Sequence, residues 1–258
     1  MSASWSRSSP SSIDETFTAD ADGACLWRAV LSERKERSID DRHSRVRVLS
    51  PREDLNTWLL EATDALADAS RDGDWGRVFE ILDDRDSFSV EANSWRRGGT
   101  SWLSPLHQAA WHGAYAEVVE GLKRRGAWLT LRDAEGRRPI DIARERGAHH
   151  LQGVLAPPAS TALYDERLAG MTAALAELVT ADATRIGCTA PIRHLDAACI
   201  AEAGTTVWFS IPGMYGGFSI EMFRGRLHVD SWSRVVGGSG RAYVITGDRT
   251  TLVDEGFV

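Results

Sequence analysis

The sequence predicts a mainly α-helical array of about three repeated helix pairs, followed by a small α+β part built on an antiparallel β-meander. Two observations lead to this fold class. Proline and glycine recur in register, since Pro105 and Pro139, and likewise Gly113 and Gly147, are 34 positions apart. Beyond about residue 205, short β-branched and aromatic runs alternate with glycine-rich turns, a pattern typical of consecutive strands.

Composition limits the classes of partner. The chain has 258 residues, 43% of them hydrophobic, which is enough for a substantial core. Its formal charge of −7 leaves no basic excess for phosphate backbones or anionic lipid, so we expect neither nucleic acid nor a membrane as partner.

Cysteine usage and the N-terminus indicate the compartment. Cys25, Cys188 and Cys199 form no CxxC pair, so we predict neither a disulfide framework nor a cysteine metal site, and no cofactor. The first ten residues lack the basic start and apolar run of a signal peptide, and no apolar run approaches the roughly 18 to 20 residues that span a bilayer. These features favour a cytoplasmic protein.

The N-terminal segments precede the repeats. Residues 1–20 are rich in Ser, Thr and Asp with few large apolar groups, so we expect a disordered tail. Residues 21–59 contain apolar positions at roughly helical spacing and are predicted to be a helical segment. Pro51 opens a stretch that keeps this spacing as far as Ala69, and proline is tolerated near a helix start.

The central repeat carries a recognisable motif. Residues 104–113 read Ser-Pro-Leu-His-Gln-Ala-Ala-Trp-His-Gly, which resembles the Thr-Pro-Leu-His-x-Ala-Ala-x-x-Gly signature of the ankyrin family. A similar start follows at residues 132–143, and the spacing of 34 compares with about 33 in that family. A degenerate earlier copy is visible in residues 64–73 and continues to Leu82, and its extra length falls in residues 83–102. The resemblance implies an ankyrin array over residues 60–156.

Physical chemistry supports the same register. Pro105 and Pro139 stand where a first helical residue needs no N–H, and Gly113 and Gly147 stand where the chain leaves a helix at positive φ. In the third copy Arg138 and Asp141 replace the family's Thr and His, so we expect weaker ties between units there. A last helix is predicted over residues 149–155.

A proline pair opens the linker, residues 157–162, and a different pattern follows over residues 163–258. One amphipathic helix is predicted over residues 163–180. Five strands are predicted over residues 205–211, 218–223, 227–236, 241–246 and 250–254. We assign this α+β part to no family.

Aromatic and arginine residues in and near the long insertion form the candidate partner-binding group. These are the residue types that dominate binding hot spots, and the resemblance implies a concave surface of hairpin tips and first helices. The group comprises Phe88, Trp95, Arg96, Arg97, Trp102, Trp111 and Trp128. The alternative for any single tryptophan is that it fills space beneath the loop. The resemblance also implies a structural role for His107, which in the family bonds the backbone of an adjacent turn.

These features favour a protein that binds another protein. A narrower hypothesis, drawn from the resemblance to small acidic ankyrin proteins of bacteria, is that it neutralises a toxin or regulates an enzyme encoded nearby, with its acidic charge suiting a basic partner.

The alternative is an enzyme whose active site lies in the C-terminal part or at its junction with the repeats. His228, Asp230, Trp232 and Arg234 alternate along one predicted strand and share a face, which is either a pocket wall or the solvent side of the sheet. A cross-strand pair between Glu221 and Arg234 would remove two candidates. A third possibility is a small-ligand site in the sheet whose occupancy the repeats report.

Overall fold

The fold is described here from a computed structural model, which covers residues 44–47, 57–84, 90–158, 165–185, 187, 192–211, 216–233 and 240–256. Within these residues the helices are α1 Thr57–Asp72, α2 Trp75–Asp83, α3 Pro105–His112, α4 Ala116–Arg124, α5 Pro139–Glu145, α6 Asp165–Arg185 and α7 Ala197–Ala203. The strands are β1 Ser44–Arg47, β2 Val207–Ile211, β3 Gly216–Phe223, β4 Arg226–Ser233, β5 Gly240–Thr246 and β6 Arg249–Gly256.

Helix pairs stack side by side in the repeat part. Helix α1 packs against α2 and α3 against α4, while the first helices α1, α3 and α5 lie in a row. The third unit departs from the prediction, because a single 3₁₀ turn, His149–Leu151, and further turns replace the helix expected over residues 149–155. Gly153 lies in this short stretch, and glycine costs about 1 kcal/mol relative to alanine inside a helix.

The repeat motif has the backbone predicted for it. Pro105 and Pro139 are the first residues of α3 and α5, and Gly113 leaves α3 in the left-handed region with φ 59°. Gly147 follows α5 with φ 71°. Residues of other types rarely adopt this conformation, so these glycines end the first helices and allow the chain to turn back.

In α3 and α5 the residue before the helix donates its N–H to the side chain three positions on. In α3 the Ser104 N–H donates to His107 Nδ1 at 3.2 Å, and in α5 the Arg138 N–H donates to Asp141 Oδ2 at 2.9 Å. The carboxylate of Asp141 therefore reproduces the local hydrogen bond of the histidine.

The described strands form one six-stranded sheet in the order β1-β2-β3-β4-β5-β6, to which the C-terminal part contributes β2 to β6. Strands β2 to β6 form the antiparallel meander that the sequence predicts. Strand β1 pairs parallel to β2 and was not predicted, because residues 44–47 fell within the segment expected to be helical. A four-residue edge strand has too little pattern of its own to be recognised.

Two hydrophobic clusters form the interior. One lies among the repeats and includes Leu66, Leu106, Leu122, Ile142 and Leu151. The other lies between the sheet and helices α6 and α7, and it also takes in Trp95, Trp128 and Leu131 from the repeat loops. The loops between units are therefore buried against the C-terminal part, and this arrangement decides which predicted site residues remain accessible.

Helix α6 runs five residues past its predicted end, and α7, which Asp196 caps, was not predicted. Among the described helices, none has both the length and the apolar character needed to cross a bilayer.

Candidate functional site: the concave face of the repeats

The first helices α1 and α3 lie next to each other, and a depression of about 130 Å³ opens at their loop end. Its lining includes Ser70, Arg71, Arg96, Trp102 and Gln108. The helices supply Ser70, Arg71 and Gln108, and the long loop supplies Arg96 and Trp102. We call this surface of α1, α3 and the loop the concave face. It brings together two of the residues predicted to bind a partner.

Arg96 is held over α1 by acidic side chains. Its Nη1 lies 3.6 Å from the Asp64 carboxylate and its Nη2 contacts Asp68, which also pairs with Arg71 at 2.9 Å. The Arg96 side chain keeps 37% of its surface exposed. A guanidinium has five donors, so this one is positioned by α1 and still has surface to offer a partner.

Trp102 has a strained backbone. Its φ is 56°, which a bulky residue adopts only when its surroundings impose the conformation. Such strain is concentrated at functional sites. Here the imposed turn places Trp102 in the lining of the depression, with the Arg193 guanidinium 5.4 Å from its ring centroid.

Trp111 lies one turn beyond Gln108 on α3 and is 43% exposed. The Arg146 guanidinium lies 4.4 Å from the Trp111 ring centroid. A large exposed aromatic residue beside an arginine is typical of binding surfaces. Trp111 extends the concave face toward the third unit.

The remaining members of the predicted group are placed differently. Trp95, Arg97 and Trp128 are 2%, 3% and 4% exposed, so they have almost no surface to offer a partner. Phe88 lies outside the described residues. Arg193, from the segment before α7, stacks on Trp95 with 4.4 Å between its guanidinium carbon and the ring centroid. Burial lowers the pKa of Arg193 to about 10.

Backbone groups of the second repeat loop, residues 125–138 between α4 and α5, form hydrogen bonds with α7. The Glu202 carboxylate accepts hydrogen bonds from the N–H groups of Leu129 and Thr130, at 2.8 and 2.9 Å, and from the Thr130 hydroxyl at 2.6 Å. Next to it Arg132 pairs with Asp196 at 2.9 Å. The hairpin ends that the resemblance assigns to a partner are thus occupied by this chain's own C-terminal part.

Histidines tie the repeats together. His107 is fully buried and its pKa is lowered to about 4, chiefly by burial and also by the charge of Arg193. Its Nδ1 lies 2.8 Å from the Ser104 hydroxyl. His112 Nε2 lies 2.8 Å from the Arg71 carbonyl, and His150 Nε2 lies 3.1 Å from the Ala114 carbonyl. The His112 and His150 contacts join neighbouring units, whereas the His107 contact lies within the start of α3.

The alternative pocket residues lie on the sheet face that points away from α6 and α7. His228 is 8% exposed and stands opposite Glu221, while Asp230 and Trp232 are partly buried. The Trp232 ring lies 5.2 Å from that of Trp208. Arg234 lies outside the described residues, so its predicted pair with Glu221 stays a prediction.

Metal-ligating side chains do not cluster in the part of the chain that the structure describes, where no group of three or more His, Cys, Asp or Glu could hold an ion. Cys199 is buried and its pKa is raised to about 12, because burial disfavours the thiolate.

Site residues missed from the sequence include Asp64, Asp68 and Gln108. They occupy partly exposed positions of first helices, and placing the degenerate copy in register with the motif would have marked these positions. The residue types alone carry no such signal.

No family model matches the chain. The chain is similar to the human protein cyclin-dependent kinase 4 inhibitor B, with 45% identity over 51 residues. These residues are 20% of this chain and 36% of the human protein, so the chain spans about a third of that relative's length. The similarity supports ankyrin-like repeats.

Proposed function

We propose that this protein binds another protein on the concave face of α1 and α3. The observation that carries the proposal is that Arg96, Trp102 and Gln108 line one depression, with the exposed Trp111 one turn further along α3. The human relative supports it, because its name describes an inhibitor of a protein kinase, and its similarity to this chain suggests a protein-binding function.

Burial reduces the number of predicted residues that could contact a partner. Trp95 and Trp128 lie in the cluster shared with the C-terminal part, and Arg97 is buried against Trp95. Trp102 also packs against that cluster but is only partly buried, so Arg96, Trp111 and the accessible part of Trp102 are the anchors proposed for a partner. Truncation of a hot-spot aromatic residue costs about 2 kcal/mol or more of binding free energy. A partner that buries Trp111 would therefore depend strongly on its indole.

We propose the regulatory role because of the net negative charge of the chain. A net charge of −7 favours association with a basic protein, and neutralisation of a toxin or regulation of an enzyme encoded nearby fits this balance. Asp64 and Asp68 already pair with Arg96 and Arg71, so the attraction would come from the net charge of the chain as a whole.

The test is affinity capture from native cell extract with the wild type and with a Gln108→Ala, Trp111→Ala double variant. Tyr115→Ala is the matched control, since Tyr115 is an 80% exposed aromatic residue in the turn after α3. The captured protein is purified and its affinity is measured by calorimetry. We expect the double variant to lose at least about tenfold in affinity and the control to keep it.

Equal affinity of the double variant and the wild type would contradict the concave-face site. A wild type that retains no specific protein would contradict the protein-binding function itself. Trp95 is left unchanged, because its burial makes any variant there a test of folding.

A further inference from the structure

A second and larger depression, which we call the α6 groove, lies between the third repeat unit and helix α6. Its volume is about 600 Å³. Arg138, Ile140 and Arg144 line the repeat side, and Leu168, Ala169, Thr172, Ala173 and Ala176 line the α6 side. It shares no lining residue with the concave face, so it is a separate candidate site.

Small side chains create the space. Ala169, Ala173 and Ala176 recur on α6 at intervals of four and three residues and so share one face of the helix. Ile140 and Leu168, 4% and 7% exposed, add an apolar floor from either side. The methyl groups of these alanines and the side chains of Ile140 and Leu168 form one apolar surface, which we call the apolar bed.

The rim of the groove carries excess positive charge. Arg138 and Arg144 share one carboxylate, Asp141, at 3.4 Å each. Arg132 pairs with Asp196 at 2.9 Å. Among the lining residues three are arginines and one, Asp196, is a carboxylate, in a chain whose overall charge is −7.

The two carboxylates, Asp141 and Asp196, differ in how closely they contact the arginines of the rim. Asp196 Oδ1 also accepts from the Ala198 N–H, at the start of α7, and from the Thr172 hydroxyl, both at 3.0 Å. Asp141 accepts the Arg138 N–H at 2.9 Å as the cap of α5, but it lies 3.4 Å from both the Arg138 and Arg144 guanidinium groups, and the Arg144 side chain is 56% exposed. The Arg138 and Arg144 end is therefore where an incoming anion finds accessible donors.

We propose that the α6 groove binds a small organic anion, free in solution, with an apolar body against the alanine face and its anionic group at Arg138 and Arg144. The volume falls within the roughly 300 to 1,000 Å³ of small-molecule sites, which are mostly apolar with a few convergent polar groups. The planar guanidinium suits a carboxylate, sulfonate or phosphate group. This ligand class and surface lie beyond the proposed protein binding.

The probe is anilinonaphthalene sulfonate, which joins an apolar ring system to an anionic group and fluoresces when its surroundings are apolar. Its uncharged counterpart, N-phenylnaphthylamine, has the same rings without the sulfonate. Fluorescence titration of the full chain with both compounds separates the contribution of the anionic group from that of the apolar bed. We expect saturable binding of one sulfonate, at least about tenfold tighter than the neutral compound.

Two variants test the location. Ala173→Leu fills the groove from an exposed position on α6, and Arg144→Glu reverses charge at its rim. The matched controls are Ala181→Leu, exposed on α6 outside the lining, and Arg124→Glu, exposed at the end of α4. We expect each groove variant to weaken sulfonate binding at least about tenfold and each control to change it less than about twofold.

The proposal is overturned if the wild type shows no saturable binding, if the neutral compound binds as tightly as the sulfonate, or if the groove variants bind like the controls. Circular dichroism of each variant verifies the fold. Because Arg144 is an exposed surface residue, the charge reversal still tests the site if filling the groove perturbs the helix.

Discussion

Burial changes the acid–base chemistry of His107 in the folded protein. Complete burial lowers its pKa from 6.5 to about 4, so the folded protein keeps the imidazole neutral where the unfolded chain protonates it. The neutral ring can accept the Ser104 N–H at Nδ1, and a protonated ring would lose that acceptor. The residue that defines the repeat motif is therefore also a point of acid sensitivity.

The pH dependence follows from linkage. Between pH 6.5 and about 4 the unfolded state binds one more proton at His107 than the folded state, so the free energy of unfolding falls as the pH falls through this window. The contribution is about 3 kcal/mol for a shift of this size in a fully buried group. His107→Gln removes it, and urea unfolding across the window should show a shallower pH dependence in the variant.

His194, whose pKa burial also lowers, is unchanged in this comparison and contributes equally to both proteins. The readout is the slope, which separates proton linkage from any constant loss of stability in the variant. Identical slopes for the wild type and His107→Gln would contradict the assignment.

At the scale of elements, the junction between the second repeat loop and α7 depends on one carboxylate. Glu202 accepts three hydrogen bonds from Leu129 and Thr130. Glu202→Ala leaves these donors without that acceptor in a partly buried site, so we expect a loss of about 2 kcal/mol in the free energy of unfolding. Urea denaturation measures it.

Glu177→Ala is the matched control, since Glu177 is exposed on α6. Its effect should stay within about 0.5 kcal/mol. A loss no larger for Glu202→Ala than for Glu177→Ala would show that the junction does not rest on this carboxylate.

The elements that the sequence predicted best are those defined by local pattern. Strands β2 to β6 lie between glycine-rich turns, and α3 and α5 begin at prolines, so each carries its own signal. Helix α7 and strand β1, of seven and four residues, were missed because each is too short for periodicity. Packing and pairing with distant parts of the chain form them.

The candidate site was predictable in residue type but not in accessibility. Trp95 and Trp111 are the same kind of residue in the sequence, yet one is 2% and the other 43% exposed. The difference arises from Arg193, which lies almost a hundred positions beyond Trp95 and stacks on its ring. Because the two residues are so far apart in sequence, no local motif could have predicted their contact.

At the scale of the whole molecule, the repeat loops and the C-terminal part share one hydrophobic cluster. Trp95, Trp128 and Leu131 lie in the same interior as residues of α6, α7 and the sheet. The described residues belong to a single compact unit. We therefore expect the repeats and the sheet to unfold together, although their sequences look like independent parts.

The last prediction tests this coupling with two tryptophans. Trp95→Ala removes a buried ring from the shared cluster and should cost about 3 to 5 kcal/mol. Trp111→Ala removes an exposed ring and should cost about 1 kcal/mol or less. Hydrogen exchange measured by mass spectrometry then compares protection in α3 and α4 with protection in β3 and β4.

If the shared cluster couples the two parts, Trp95→Ala lowers protection of the helices and the strands by similar free energies, because both exchange through the same global opening. Trp111→Ala leaves both nearly as in the wild type. Loss of protection confined to the helices would mean that the sheet is stable without the repeat loops. In that case the C-terminal part would fold independently of the repeats. Loss of protection in both parts would instead show that the C-terminal part is required to hold the loop ends of the repeats, and the concave face would remain the surface open to a partner.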